Sequence, residues 1–323
     1  MWKRVHFVAC LLFVICSTSL IAQTTAAPAQ VKTLKVTILS TMLADQGIGE
    51  WGFAALVEAD GHRLLVDTGG RPDTVLTNLH DLNLDISDVT EVVLTHNHGD
   101  HTRGLLTLRQ ELMKKNPAAL SVAHVGKGIM YSRPGADGKE RNYVIGMRKQ
   151  YESMGGKFVE HEGGVELFPG VWLTGPVPRQ YPEKNWSNLG KVQSPQGLVE
   201  DNIPEDQSVV INTNKGLVVI TGCGHAGIVN TLTFAETEYP KTPVYAVIGG
   251  IHLYPASDQT VDWTADKFKD FGVQYFIGAH CTGINTVYAI RDRLKMPRQS
   301  AVVGAVGATF VLGEGIHPGE LAQ

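Results

Sequence analysis

One short stretch of the sequence carries four potential metal ligands within six residues. Directly after an apolar run, the chain reads Thr-His-Asn-His-Gly-Asp-His over residues 95–101. Because a strand directs alternate side chains to one side, His96 and His98 can point at a common centre. Asp100 and His101 follow a glycine, which lets the backbone turn sharply, so they can face a second centre nearby. Imidazole and carboxylate together are ligands for zinc or a similar borderline metal.

Three further histidines follow later apolar runs. His225, His252 and His280 each come shortly after such a run and a glycine. Ligands and catalytic groups gather at strand ends in layered α/β folds. If these strand ends lie on one edge of the fold, the three imidazoles can converge on residues 95–101.

Two of the four cysteines lie beside these histidines. Cys223 precedes His225 by two residues, and Cys281 directly follows His280. The other two cysteines fall near the amino terminus, within a predicted leader. In an exported protein Cys223 and Cys281 could form a disulfide, and a role at the site is the alternative. The sequence leaves both interpretations open.

Composition and the amino-terminal residues indicate the class of protein. The 323 residues are 43% hydrophobic and 19% charged, with a net charge of −4, which is typical of a globular protein and gives no basic field for nucleic acid. Basic, then apolar, then small residues predict a signal peptide over residues 1–22, with cleavage after Ala22, Ala27 or Ala29. The apolar run is short and interrupted, so a permanent membrane span is not expected. We therefore expect a periplasmic or secreted protein.

Strand and helix signals describe two similar halves. Residues 34–67 read as strands joined by a hairpin, and a later pair of strands repeats the pattern. Each half continues with alternating strands and helices, which predicts an α/β four-layer αββα sandwich with two sheets face to face and helices outside. Residues 23–323 are predicted to form one domain with insertions near 126–160 and 175–204. The first could form a lid, and the second could shape a substrate pocket.

Several of these motifs resemble those of the metallo-β-lactamase superfamily. The general match is the cluster at residues 96–101 with the turn Asp67-Thr68-Gly69. Within the superfamily, the sequence is most similar to the branch named dihydropterin–ribofuranosylaminobenzene phosphate synthases. That closer similarity rests on three motifs: GCGHAGIVNTL over 222–232, IGGIHL over 248–253 and HCTG over 280–283. The resemblance spans nearly the whole chain after the leader. It implies an αββα sandwich with one or two metals at its edge, usually zinc and sometimes iron, manganese or nickel.

The sequence departs from the superfamily pattern in two places. The region that matches the usual Thr-Pro-Gly-His loop runs from Thr174 to Arg179 and contains no histidine, so His225 could replace the missing ligand. Cys223 stands where a bridging aspartate is usual, and it could bind metal as a thiolate or be a small buried residue. Both departures make true β-lactamase activity the least expected function.

The expected ligands form two sets. They are the histidines and the aspartate of these motifs: His96, His98 and His225 for one metal, and Asp100, His101 and His280 for a second. Cys223 is a further candidate ligand. His252 is expected to support the site or to contact the substrate as a transition-state donor. Asp67 is either a turn cap or a support that orients a ligating histidine.

These residues predict a metal-dependent hydrolase in which metal-bound hydroxide attacks an ester, lactone, amide or phosphoester, while Asp100 passes a proton to the leaving group. Two other functions stay open: a transferase like the synthases named above, and a metal-binding protein without catalysis. The expected partner is a small-molecule substrate and not nucleic acid. Four basic residues could bind an anionic substrate or be solvated surface charges: Arg103, Lys127, Arg133 and Arg179.

Overall fold

The computed structural model describes residues 1–3, 28–185 and 190–322. Apart from residues 1–3, the predicted signal peptide over 1–22 lies outside the described residues, as do the cleavage positions Ala22 and Ala27. No helix within the described ranges combines the length and the hydrophobicity that a membrane crossing requires.

Short strands and helices alternate along the described chain. The strands are β1 Leu34–Ser40, β2 Leu43–Ala44, β3 Ala54–Ala59, β4 His62–Val66, β5 Glu91–Leu94, β6 Val122–Gly126, β7 Lys157–His161, β8 Val165–Phe168, β9 Val171–Leu173, β10 Lys191–Ser194, β11 Gly197–Glu200, β12 Ser208–Thr213, β13 Gly216–Thr221, β14 Val244–Gly249, β15 Tyr275–Gly278, β16 Ala301–Val303, β17 Ala305–Val306, β18 Thr309–Val311 and β19 Gly315–His317. The helices are α1 Thr74–Asp81, α2 Gly99–Thr102, α3 Leu105–Leu112, α4 Tyr143–Ser153, α5 Ile228–Glu238, α6 Asp258–Phe271 and α7 Ile284–Leu294.

Two large sheets contain most of the strands. The first has the order β19-β18-β1-β3-β4-β5-β6-β7, and β4 to β7 run parallel. The second has the order β16-β15-β14-β13-β12-β9-β8, and β13 to β16 run parallel. Parallel neighbours end at the same edge of a sheet, so the segments that follow β5, β13, β14 and β15 can be brought together.

Three apolar layers hold the sandwich together. Ile38, Val93 and Ile220 belong to the layer between the two sheets and are fully buried. Phe268 lies in the layer between the second sheet and helices α5 to α7. Leu108 lies in the layer between the first sheet and helices α1, α3 and α4. The predicted four-layer αββα fold is therefore confirmed.

Local sequence explains the clearest elements. All six residues of β12 and all six of β13 are buried, as expected for apolar strands covered on both faces. In α6, Val261, Ala265 and Phe268 recur at helical spacing on the buried face. Ser257 caps the start of α6 through a side-chain hydrogen bond, and Gly272 ends it in the left-handed conformation with φ of 79°.

The two segments predicted as insertions differ in structure. Residues 126–160 contain α4 and most of β7, and β7 pairs in parallel with β6 at the edge of the first sheet. The second half of this segment is thus part of the layered fold. Residues 175–204 contain the hairpin β10–β11, which forms a small sheet of its own. The domain limits themselves stay a prediction.

Candidate metal centre

The predicted ligands follow the carboxyl ends of parallel strands. His96 and His98 come directly after β5 of the first sheet. Cys223 and His225 come after β13, and His280 after β15, both in the second sheet. Residues from the two halves of the sequence therefore meet at one edge of the sandwich.

The first predicted set is brought together by the fold. The ligand atoms of His96, His98 and His225 all lie within 4.8 Å of one another. The ring centroid of His96 lies 4.6 Å from that of His98 and 4.7 Å from that of His225. The Nε2 atoms of His96 and His225 are buried and have no hydrogen-bond partner among the described residues. Because buried polar atoms are nearly always paired, these convergent nitrogens fit a metal ion.

Burial keeps this first set in the form that binds metal. It lowers the pKa of His96 and of His225 well below the usual range, and neighbouring imidazoles lower both further. Burial also lowers the pKa of His98 to about 4, against the opposing effect of Asp100. All three rings are neutral at pH 7, and a neutral imidazole is the form that ligates a cation.

The second predicted set lies beside the first. The ligand atoms of Asp100, His101 and His280 lie within 4.8 Å of one another. The Nε2 atom of His280 is 3.3 Å from Oδ2 of Asp100, and the His101 and His280 ring centroids are 5.0 Å apart. Burial raises the pKa of the Asp100 carboxyl, but the charges of His101 and His280 lower it by more, so it stays ionised.

Asp67 orients one of these histidines. Its Oδ2 lies 2.7 Å from Nδ1 of His101, and Thr95 donates hydrogen bonds of 2.8 Å to its carboxylate from both the backbone N–H and the hydroxyl. Burial lowers the pKa of His101, yet the carboxylates of Asp67 and Asp100 raise it to about 9. The residue at the N-cap position of α1 is Asp73, so Asp67 does not cap that helix and instead supports His101, a candidate ligand.

The two cysteines near the site are free thiols. Cys223 and Cys281 are both buried, and their Sγ atoms lie 3.2 Å apart, whereas a disulfide requires about 2.05 Å. The Sγ of Cys223 also lies 3.0 Å from Nε2 of His101. Cys223 therefore faces the donor atoms of the second set.

Three non-glycine residues at this edge adopt the left-handed backbone conformation. Asp67 has a φ of 57°, His252 of 47° and His280 of 48°. Such positions are strained by roughly 1–3 kcal/mol each and concentrate at functional sites. The strain indicates that the surrounding fold holds these side chains in place.

His252 lies beside the first set, next to His225. Its ring centroid is 4.6 Å from that of His225, and its ligand atom lies within 4.8 Å of those of Cys223 and His225. It also lines a separate cavity of about 470 Å³ next to Trp263. This position fits either expectation for His252, a support of the site or a substrate contact.

Several residues that hold the site carry no signal in the sequence. The carbonyl oxygen of Asn185 accepts a hydrogen bond from Nδ1 of His225, although 40 residues separate them. The half-exposed ring of Trp51 lies 4.7 Å from the ring of His280. Only three-dimensional packing brings these groups to the histidines.

A cavity of about 510 Å³ opens beside the cluster. His98 and Asp100 line it together with Arg71, Arg103 and Arg141. This volume is within the range of small-molecule sites. The guanidinium of Arg103 also lies 4.3 Å from the centroid of a tyrosine ring in the cavity wall, at position 143, so the opening combines cationic and aromatic surface.

The other three basic residues singled out in the sequence lie elsewhere. Lys127 is exposed and forms an ion pair of 2.7 Å with Glu162. Arg133 is buried and forms ion pairs with two carboxylates, those of residues 201 and 205. Arg179 is half-buried and donates hydrogen bonds to backbone carbonyls, including that of His225. Of the four, Arg103 is thus the one that lines the cavity of His98 and Asp100.

Comparisons with protein families and curated sequences agree with the site motifs. A model of the metallo-beta-lactamase superfamily matches residues 52–239. The 7,8-dihydropterin-6-methyl-4-(beta-D-ribofuranosyl)-aminobenzene-5'-phosphate synthase of Methanocaldococcus jannaschii is 27% identical over 258 residues, which is 76% of this chain and 85% of the relative. An uncharacterized protein of the same organism is 28% identical over 241 residues, or 73% of this chain and 85% of that protein.

Solved structures share the architecture. Tm1679, described as a metal-dependent hydrolase of the beta-lactamase superfamily, superposes with a TM-score of 0.67 at 24% identity, covering 85% of this chain and 98% of that one. YhfI from Bacillus subtilis, a metallo-beta-lactamase fold protein, has a TM-score of 0.55 at 14% identity, covering 87% of this chain and 100% of that one. At these identities the likeness concerns the fold.

Proposed function

The chain belongs to the metallo-beta-lactamase superfamily, as its motifs predict, and on that premise we propose that it is an exported, metal-dependent hydrolase of an ester, lactone, amide or phosphoester. Members of the superfamily typically bind divalent metal ions, and zinc, as one or two ions, is the first candidate here. The observation that carries the proposal is the convergence of two neighbouring sets of three donors beside one cavity. A bound divalent ion would act as a Lewis acid and lower the pKa of water to roughly 7.

Different residues of the chain would hold the two metal ions. His96, His98 and His225 would hold one ion, since their buried nitrogens point at a common centre. His101 and His280 would lie at the border of a second metal position. The Asp67 carboxylate fixes the ring of His101 and leaves its Nε2 turned toward that position.

Asp100 is the candidate for proton transfer. It lines the cavity and stays ionised because the charges of His101 and His280 lower its pKa. Its carboxylate can accept a proton from an attacking water and return it to the leaving group. His252, beside His225, is the candidate for a hydrogen bond to a polar group of the substrate.

The cavity favours a small substrate with an anionic group. Arg71, Arg103 and Arg141 line the opening that also contains His98 and Asp100. Arginine side chains bind carboxylate and phosphate through paired hydrogen bonds. The test substrates should therefore include matched anionic and neutral compounds.

Metal analysis combined with a substrate panel tests the proposal. The purified full-length protein would be assayed for zinc, iron, manganese and nickel and then offered a lactone, a carboxylic ester, an amide, a phosphodiester and nitrocefin. We expect turnover of at least one non-lactam class and a loss of more than about 100-fold in His98→Ala with folding retained. His80→Ala, at an exposed histidine, is the matched control. Stoichiometric metal without turnover of any class would favour the non-catalytic metal-binding protein instead.

A synthase-like transferase is the second candidate function. The specific observation in its favour is the 27% identity to the curated aminobenzene-phosphate synthase. Phosphorylated, activated precursors are expected to stay in the cytoplasm, so location discriminates the two. A mature amino terminus near Gln23 in an exported fraction supports the hydrolase, and an intact Met1 in a cytoplasmic fraction supports the transferase.

A further inference from the structure

Two thiols lie side by side at the second metal position. Cys223 follows β13, and Cys281 follows His280 within one 3₁₀ turn, His280–Thr282. The ligand atoms of Cys223, His280 and Cys281 all lie within 4.8 Å of one another. All three residues are buried, and neither ring nitrogen of His280 makes a hydrogen bond within the described part of the chain.

The distance between the two sulfur atoms is closer to the distance between two thiolates on one metal ion than to the length of a disulfide bond. Two thiolates at about 2.3 Å from one tetrahedral zinc stand roughly 3.8 Å apart, while a disulfide is about 2.05 Å long. The observed distance is 3.2 Å. Small side-chain rotations can lengthen the sulfur–sulfur distance to the value that a shared zinc requires. A disulfide would require the two sulfurs to approach each other by about twice as much.

Ordinary apolar packing does not explain these cysteines. The Sγ of Cys223 contacts Nε2 of His101 at 3.0 Å and the Sγ of Cys281 at 3.2 Å. A Cβ atom added at Gly250 would lie 2.8 Å from the Sγ of Cys281. The Sγ of Cys223 therefore has an imidazole nitrogen and a thiol as neighbours, and the Sγ of Cys281 lies against the backbone of Gly250.

We propose that Cys281 and Cys223 are both thiolate ligands of the second metal position, with His280 as the third ligand. This inference rests on the proposed metal-dependent function. Each thiol releases its proton to solvent when the ion binds, so that both sulfurs ligate as thiolates. The Nε2 of His101 lies 3.0 Å from the Sγ of Cys223 and therefore borders this position. Asp100 keeps its contact with His280 on the cavity side and remains available for proton transfer.

Charge balance supports the same ligand set. Two divalent ions bring about four positive charges into a buried edge, where uncompensated charge is strongly unfavourable. The carboxylates of Asp67 and Asp100 supply two negative charges next to the histidines. Two thiolates would offset more of the positive charge, which neutral imidazoles would not. A site of two sulfurs and imidazole selects zinc, cobalt or iron over magnesium or manganese.

Cobalt substitution tests the proposal directly. The full-length protein, stripped with a chelator and reloaded with Co²⁺, should show thiolate-to-cobalt charge transfer in the near ultraviolet. This absorption should fall by about half in Cys281→Ser and in Cys223→Ser and vanish in the double variant. In protein that retains residues 1–22, the double variant Cys10→Ser/Cys16→Ser, at the two cysteines outside the described residues, is the matched control and should keep the full absorption. Full absorption in Cys281→Ser would overturn the proposal.

X-ray absorption of the unmutated zinc protein gives a second measurement that needs no variant. With both positions loaded, the zinc edge should report about one sulfur per zinc on average. Half that number would mean that only one of the two cysteines ligates and would overturn the pair of thiolates, as would finding a Cys223–Cys281 disulfide by thiol titration. Zinc retained without any sulfur overturns this inference and leaves the proposed hydrolase standing. Failure to retain any metal overturns both.

Discussion

At the scale of the residue, His101 shows how the site prepares a ligand. Its Nδ1 faces the Asp67 carboxylate at 2.7 Å, and its Nε2 faces the Cys223 sulfur at 3.0 Å. Because a carboxylate accepts hydrogen bonds only, the ring keeps a proton on Nδ1. The raised pKa of His101 means that Nε2 also carries a proton at pH 7, which a metal ion must displace before this nitrogen can ligate. Thr95 holds the same carboxylate from two directions. The support is therefore built before any ion arrives.

Asp67→Asn should weaken metal binding while the chain still folds. The introduced amide can donate toward Nδ1 of His101, which favours the tautomer with its proton on Nε2 and blocks the ligand atom. We expect zinc affinity to fall by about 10–100-fold, measured by competition with a chromophoric chelator. Asp73→Asn is the control, because Asp73 is exposed and its side chain makes no cap hydrogen bond. Equal affinities in the two variants would contradict the role of Asp67.

At the scale of the element, buried ion pairs fasten the loops around the site. Arg133, which follows β6, donates from Nε to Asp201 at 2.6 Å and from Nη2 to Glu205 at 2.7 Å. Asp201 directly follows β11, and Glu205 lies just before β12. Burial lowers the pKa of Arg133, but the two carboxylates raise it by more. One guanidinium thus ties the hairpin segment to the chain after β6.

Arg133→Ala should destabilise the protein strongly, because it leaves two buried carboxylates without their cation. We expect the free energy of unfolding to fall by about 3–5 kcal/mol, measured by chemical denaturation. Arg148→Ala removes an exposed pair with Glu152 on α4 and should change it by less than about 1 kcal/mol. A small effect of Arg133→Ala would show that these loops are fastened by other contacts.

A buried glutamate that lies between β9 and β10 and contacts the start of α5 gives a pH-dependent prediction. Glu183 accepts hydrogen bonds from the backbone N–H groups of Val229 and Asn230. Burial raises its pKa from 4.5 to about 7, although these hydrogen bonds lower it. Between these two values the unfolded chain has released the proton that the folded protein still holds. Glu183 therefore contributes a loss of stability as the pH rises from about 4.5 to about 7.

Glu183→Gln should remove that contribution. The free energy of unfolding of the variant, relative to that of the unmutated protein at the same pH, should rise as the pH increases from about 4 to about 8. The matched control is Glu236→Gln, at an exposed position of the same helix, which should leave the pH profile unchanged. Parallel profiles for Glu183→Gln and the unmutated protein would contradict the raised pKa.

At the scale of the whole molecule, the sequence predicts features that depend on local patterns and misses contacts between residues far apart in the chain. The strand β5, the cluster after it and the glycine-histidine strand ends are local signals, so the fold and the two donor sets could be predicted. The carbonyl of Asn185 at His225 and the ring of Trp51 over His280 join residues far apart in the chain. Such contacts leave no periodic pattern in the sequence, so they could not be predicted from it. The proximity of the two thiols after β13 and β15 likewise depends on how those strands are placed in the second sheet.

The donor sets also connect the two halves of the molecule, which makes metal removal a test of the whole fold. His96 and His98 extend from the first sheet, whereas His225 and His280 extend from the second. An ion held by both sheets binds the folded protein and not the unfolded chain, so it should stabilise the sandwich as a unit.

Zinc at about 100 times its dissociation constant should raise the free energy of unfolding by about 2.7 kcal/mol per site over the chelated protein, and magnesium should raise it far less. The measurement is chemical unfolding followed by both tryptophan fluorescence and far-ultraviolet circular dichroism. Because the metal spans the sheets, the two signals should shift together when zinc is removed. A shift in one signal alone would mean that the ion stabilises only one half, and it would contradict a centre shared between the two sheets.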